Sequence, residues 1–188
     1  MPRPSVREVI VDSAVTEFHR NGFAACSVDT ITRAAGVPKG SFYNHFKSKE
    51  DLGAEVVARY AASSGWRDSH GELGPLDTLR ARFTVMRDVL EDNEYTRGCL
   101  IGNMGAERAD HSPVIREQVG ESLTHWSDSI AESIREAQAA GEVPADRDAD
   151  LLGRFVLDAW EGAIIRTKVA KSAAPLDDFF AVVFGSLL

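Results

Sequence analysis

A chain of 188 residues with 44% apolar side chains can bury a real core, and its length suits one or two domains. No run approaches the roughly 20 apolar residues of a membrane-spanning helix and the N-terminus lacks a signal-peptide core, so a cytoplasmic protein is expected. The net charge of −8 speaks against nucleic-acid binding by the chain as a whole, and two distant cysteines, Cys26 and Cys99, make neither a disulfide framework nor a zinc cluster. Both are read as thiols of a reducing compartment, with no metal or cofactor expected.

In chain order, Val6, Ile10, Ala14 and Phe18 recur every four residues, with Val9 and Val15 widening the stripe and Gly22 as the stop. This predicts an amphipathic helix. Cys26 follows as a small core-filling residue, and Ser27 is a good N-cap for a second helix with Val28, Ile31, Ala34 and Ala35 on one face. Gly36 ends it. The next helix is predicted to be about two turns long: Lys39, Gly40, Ser41, Tyr43, Asn44 and His45 give it a donor-rich surface, and Phe42 and Phe46 an apolar anchor. Two short helices about a tight turn, the second polar on its outer side, are the layout of a helix-turn-helix offered to a DNA groove. Ser48 and Asp51 then have capping-box spacing, and Leu52, Val56 and Tyr60 start a fourth helix.

Charge supports that reading once the chain is divided. Residues 1–50 hold seven Lys/Arg against five Asp/Glu, a net +2, and the remainder holds 14 against 24, a net −10. A mildly basic head on an acidic body suits a protein that touches phosphates with one end only.

Ser63 to Pro75, with Trp66, reads as a linker, and Pro75 suits the first turn of a helix whose buried face is Leu76, Leu79, Phe83, Met86 and Leu90. Asp92-Asn93 closes it. The segment CLIGNMGAERA after Gly98 reads as a helix weakened by Gly102 and Gly105. Ser112-Pro113 starts the next, with Ile115, Val119, Leu123, Trp126, Ile130 and Ile134 at helical spacing and Gly141 and Pro144 at its end. Leu151 to Val169 is apolar on more than one face, and Ala174-Pro175 begins a last helix with Leu176, Phe179, Phe180, Val183 and Leu187. No period-two strand or internal repeat appears. The expectation is an all-α protein of about nine helices: a helix-turn-helix DNA-binding domain over residues 1–50 and a helical ligand-binding and dimerisation domain over 51–188. Apolar surface beyond the needs of one core, at Phe155, Phe179 and Val183 with the small residues Ala159 and Ala163, is assigned to a two-fold four-helix bundle between subunits, the alternative being a larger core within one subunit.

The stretch GVPKGSFYNHFKSKEDL resembles the recognition-helix signature of the TetR family of bacterial transcriptional repressors. The likeness is dense over roughly the first fifty residues, where glycine, aromatic and lysine positions coincide. It implies a homodimer that binds a DNA operator and is released by a small-molecule inducer. On the residues themselves, Tyr43 suits a phosphate or a thymine methyl, Lys39 a guanine edge or a phosphate, and Gly40 a close backbone approach. Ser41, Thr30, His45 and Lys49 read as phosphate positioners, Ser27 joins them at the helix start, and Asn44 suits adenine. The family likeness best supports the first three positions of the second helix and Tyr43. Asp29 stands where several relatives carry a base-reading arginine, so a base contact from the preceding helix is not carried over.

Gly98-Cys99-Leu100, continuing to Ala106-Glu107, and the stretch from Ala159-Trp160-Glu161 to Lys168 resemble a branch of the family that senses electrophiles or short unsaturated acids through a cysteine. Cys99 starts a helix and Lys168 is a cation that would lower a thiol pKa nearby; the other reading of Cys99 is a packing thiol. Met86, Met104, Trp126, Phe155 and Trp160 are either pocket walls or core. The histidines are scattered, with no HExxH, phosphate loop or nucleophile elbow, so no enzyme is expected. A helical protein-interaction module without DNA binding is the alternative.

Overall fold

The computed structural model describes residues 5–63 and 73–188, and all nine elements expected appear there as α-helices, with no strand among the described residues. They are α1 Val6–Asn21, α2 Val28–Ala34, α3 Gly40–Tyr43, α4 Lys49–Ala62, α5 Pro75–Asp92, α6 Leu100–Arg108, α7 Pro113–Ala139, α8 Ala149–Ala170 and α9 Ala174–Val182, the last running into a π-helical turn, Val183–Leu187. Most of the expected linker, Trp66 included, lies outside the described residues. None of the described helices is long and apolar enough to cross a membrane.

The chain forms two compact units, and the division does not fall at residue 50. The described residues of Met1–Ser64 associate with Cys99–Ser122, and those of Gly65–Gly98 with Leu123–Leu188. α6 and the start of α7 therefore belong to the unit that carries the helix-turn-helix.

In the first unit α1 begins with a capping box that the motif Ser5-x-x-Glu8 signals: Ser5 Oγ accepts from Glu8 N at 3.3 Å, and Glu8 Oε2 accepts from Ser5 N at 2.9 Å. The Ser5 backbone N–H, and after it the Ser5 hydroxyl, hold the Glu8 carboxyl below its usual pKa. Ile10, Val11, Ala14 and Phe18 are buried, whereas Val6 is 42% exposed, so the core stripe starts one turn later than periodicity suggests. Arg7 pairs with Glu55, and Arg59 with Asp12 at 2.9 Å, joining α1 to α4. Gly53 of α4 sits where side chains crowd the helix closely. A Cβ there would lie 2.9 Å from Phe23 Cε2, 3.0 Å from Ile115 Cδ1 and 3.3 Å from Met104 Cε.

Alanine ordinarily gains about 1 kcal/mol over glycine inside a helix, but overpacking a core costs about 1–3 kcal/mol. Gly53→Ala is therefore expected to lower stability, by about 1 kcal/mol on balance. Gly120→Ala in α7, where a Cβ meets nothing within 4 Å, is expected to raise it by about 0.5–1 kcal/mol. Opposite shifts in thermal midpoint check the pair.

The second unit is built around an aromatic cluster. Phe83 of α5, Trp160 of α8 and Phe179 of α9 have ring centroids 5.0 Å apart pairwise, and Phe180 and Phe184 extend the group. Leu79, Ile130, Ile134, Val156 and Leu176 are buried in the same unit. Gly153 lets α8 approach α7 closely, since a Cβ would stand 2.6 Å from the Ser127 carbonyl oxygen. α8 starts on Asp148, whose Oδ1 accepts from Asp150 N and Leu151 N, and α5 starts with Leu76 N donating to Glu142 Oε2 at 2.9 Å.

This packing corrects the expected dimer surface. Phe179 and Val183 are only 5% and 1% exposed and fill the unit's own core, and Ala163 is buried too. Of the residues named, Phe155 is 52% exposed and Ala159 intermediate. The apolar surface left on α8 is Leu151, Phe155, Ile165 and Val169, spaced to fall on one side of the helix, with Val182 exposed on α9. Periodicity finds apolar faces, but it does not say which one the subunit uses itself.

Candidate nucleic-acid interface

The local chemistry of residues 27–48 follows from short-range bonds. Ser27 Oγ accepts from Thr30 N at 3.0 Å and pairs with Thr30 Oγ1 at 2.9 Å, starting α2. Ile31 and Thr32 are the buried residues of α2, with Thr32 Oγ1 donating to Val28 O at 2.9 Å; Ala34, expected on the inner face, is exposed. The chain leaves α2 through Gly36 at φ +66°, a left-handed conformation that favours glycine, and Val37 N returns to Thr32 O at 3.0 Å. Four residues, Gly40 to Tyr43, form α3, and turns carry it on: His45 N and Phe46 N both donate to Phe42 O, at 2.9 and 3.0 Å.

Phe42 is fully buried and Phe46 nearly so, with rings 5.4 Å apart. They pin α3 to the unit and turn its other side outward. Lys39, Gly40, Tyr43, Asn44 and His45 are exposed, Ser41 is partly so, and Tyr43 reaches 62% exposure with its ring edge-on to Phe42. Lys47 adds an exposed cation. Asp29 pairs with Arg33 on α2, so both of those charges are engaged within the helix.

Lys49 has a different position from the one expected. Its Nζ donates to Phe23 O at 3.0 Å and Cys26 O at 2.9 Å and lies 4.1 Å from the Phe23 ring centroid. Two of the three ammonium donors are thus turned into the α1–α2 turn, where they hold backbone carbonyls; Lys49 leaves the set of phosphate contacts. Sequence reasoning also passed over Phe23, which is 2% exposed and around which that turn closes. A large aromatic between Gly22 and Cys26, in a stretch otherwise suited to a loop, was the available signal.

The sensor candidates divide between the units. Cys99 and Met104 belong to the first, where Cys99 is the N-cap of α6 with Sγ accepting from Gly102 N at 3.5 Å. Met104 packs beside Phe23 and Ile115 around Gly53. Met86, Trp126, Phe155, Trp160 and Lys168 belong to the second. There Trp160 is part of the aromatic core, Trp126 is buried, Met86 and Lys168 are half-buried, and Phe155 is at the surface. Cys26 is fully buried and donates to Glu17 O at 3.3 Å, and burial pushes its thiol pKa up. No group of three metal-ligating side chains occurs among the described residues.

Two helices about a glycine turn, anchored on buried phenylalanines with a polar outer surface, define a helix-turn-helix protein. The chain belongs to the TetR family: residues 10–56 match bacterial regulatory proteins of the tetR family, and residues 75–183 match the tetracyclin repressor-like C-terminal domain. It is 36% identical to the HTH-type transcriptional repressor DhaR of Mycobacterium sp. (strain GP1) over 194 residues, covering 100% of this chain and 95% of that protein. It is 34% identical to the transcriptional regulator AcuR of Cereibacter sphaeroides, over 90% of this chain and 80% of that one. A TetR regulatory protein from Rhodobacter sphaeroides has the same fold with a TM-score of 0.83 at 33% identity, over 93% and 95% of the two chains. The reduced form of Escherichia coli NemR superposes with a TM-score of 0.80 at 22% identity, over 94% of each, a likeness of fold. These relatives are regulators of transcription, not enzymes.

Proposed function

We propose that this protein is a repressor that binds a near-palindromic DNA operator as a homodimer and is released by a small molecule. The observation that carries the reading is the outward face of α3. Phe42 and Phe46 fix the helix from behind, and Lys39, Gly40, Ser41, Tyr43, Asn44 and His45 are left for phosphates and base edges, with Ser27 and Thr30 at the start of α2. The exposed stripe Leu151, Phe155, Ile165 and Val169 supports pairing of two copies through α8 and α9. Half-sites about 34–36 Å apart, or a multiple of that, then face the two recognition helices.

The inducer class proposed is a small electrophile or short unsaturated acid, with Cys99 as the nucleophile. Its sulfur caps the N-terminus of α6, accepting from Gly102 N, and a cysteine thiolate is the nucleophile such an inducer would meet.

Tyr43→Ala tests the recognition surface. The side chain is exposed, so the fold should be unaffected, while affinity for DNA upstream of the protein's own coding sequence should fall roughly tenfold, about the worth of one good contact. Unchanged affinity in a gel shift would remove the proposed surface. Wild-type protein that ignores that DNA would favour a helical interaction module.

A further inference from the structure

The α1–α2 turn sets the direction in which α2, and α3 after it, depart from α1, and its backbone is held by side chains from α4 and α6. Glu107 of α6 accepts from Phe23 N through Oε2 at 2.9 Å and from Ala24 N through Oε1 at 2.6 Å, reaching across 84 and 83 residues of sequence. From α4, Lys49 takes the carbonyls of Phe23 and Cys26. The Phe23 ring has the Arg108 guanidinium 4.9 Å from its centroid, and Arg108 also pairs with Glu50 at 3.6 Å. Gly22, at φ +81°, completes the clasp, because a Cβ there would be strained and would lie 3.3 Å from Glu107 Oε2. Both main-chain polar groups of Phe23 are therefore bonded by charged side chains from helices outside the helix-turn-helix.

We infer that Glu107 is a positioning residue for operator binding: its carboxylate fixes the α1–α2 turn to the end of α6, so that a displacement of α6 reaches the recognition surface through this turn as well as through α4. The inference rests on the operator-binding reading above. Its chemistry is specific to a carboxylate. Two N–H donors each need an acceptor, and glutamine, though of the same size, presents one oxygen and sets an NH₂ against the second donor. Bonds to an ionised acceptor are also roughly twice as strong as neutral ones. α6 is nine residues long, about 12 Å from Cys99 at its cap to Glu107 at its last turn, short enough to move as one piece.

The test uses the full chain, Glu107→Gln, and a DNA fragment from upstream of the protein's own coding sequence. Operator affinity should fall by roughly tenfold or more, from one lost charge-assisted bond and one unsatisfied donor. Hydrogen exchange should show the amides of Phe23 and Ala24 losing protection, while the protection of α4 and α7 stays near wild type and the thermal midpoint falls by only a few degrees, about what the lost bond itself accounts for. Glu107→Asp, which keeps the charge but is one methylene too short, should behave like the glutamine variant. Wild-type affinity in Glu107→Gln, or loss of affinity accompanied by loss of protection throughout the unit, overturns the inference alone. Failure of the wild type to bind the fragment overturns the operator reading and this inference with it.

Discussion

Phe179→Asp is expected to unfold the second unit, and Phe155→Asp to leave it folded while separating the dimer. Phe179 is 5% exposed and its ring touches Phe83, Trp160, Phe180 and Phe184. Truncating such a ring costs about 3–5 kcal/mol, and an unpaired carboxylate in its place costs more. Against a total stability of about 5–15 kcal/mol that is enough to remove the cooperative thermal transition, which circular dichroism would record. Phe155 is 52% exposed, and a surface substitution changes the protomer by about 0.5 kcal/mol at most. In the dimer the same aspartate would be desolvated with no partner, so light scattering should report a monomer and operator binding should weaken with it. An intact dimer for Phe155→Asp would move the interface elsewhere, and a wild-type melt for Phe179→Asp would deny the aromatic cluster its place as the core.

Modification of Cys99 should abolish operator binding in the wild type and leave Cys99→Ser untouched. In the reaction proposed, the thiolate adds to the β-carbon of an unsaturated carbonyl compound. A C–S bond forms, the C=C π bond is lost, and solvent returns a proton to the α-carbon. The adduct adds bulk to a residue that is 6% exposed and whose sulfur accepts from Gly102 N at the cap of α6, so the first turn of that helix must shift to hold it. Ligand and DNA then oppose one another reciprocally, as linkage requires. Cys26→Ser should respond as the wild type does, since the Cys26 thiol donates to Glu17 O and burial raises its pKa, leaving little thiolate. Mass spectrometry of the treated protein locates the adduct. If Cys99→Ser loses DNA as readily as the wild type, Cys99 is a packing thiol and the inducer binds without reacting.

Much of the fold was legible because helices declare themselves locally. The caps at Ser27 and Ser48, the first-turn proline Pro75, the stop at Gly36, and the spacing of Ile115, Val119, Trp126, Ile130 and Ile134 all describe neighbours within a turn or two, and the helices fall where these signals put them. The same local logic placed Phe42 and Phe46 inward and Tyr43 outward. Tyr60 and Met86 mark its limit: both stand at apolar positions of their helices, yet both are only half-buried.

Taken alone, then, the amino-acid sequence determined the all-helical class, the helix-turn-helix and the polar face of α3, because each depends on periodicity and capping over a few residues. The tertiary structure decided what depends on partners far along the chain. It placed α6 with the DNA-binding unit, turned Lys49 inward, used Phe179 and Val183 for the core, and supplied Glu142 and Glu107 as acceptors for backbone N–H groups 66 and more than 80 residues away. A carboxylate that bonds a distant turn has no signature in its own neighbourhood, and an apolar face looks the same whether it packs inside the subunit or against a second copy. Only the packed chain distinguishes them.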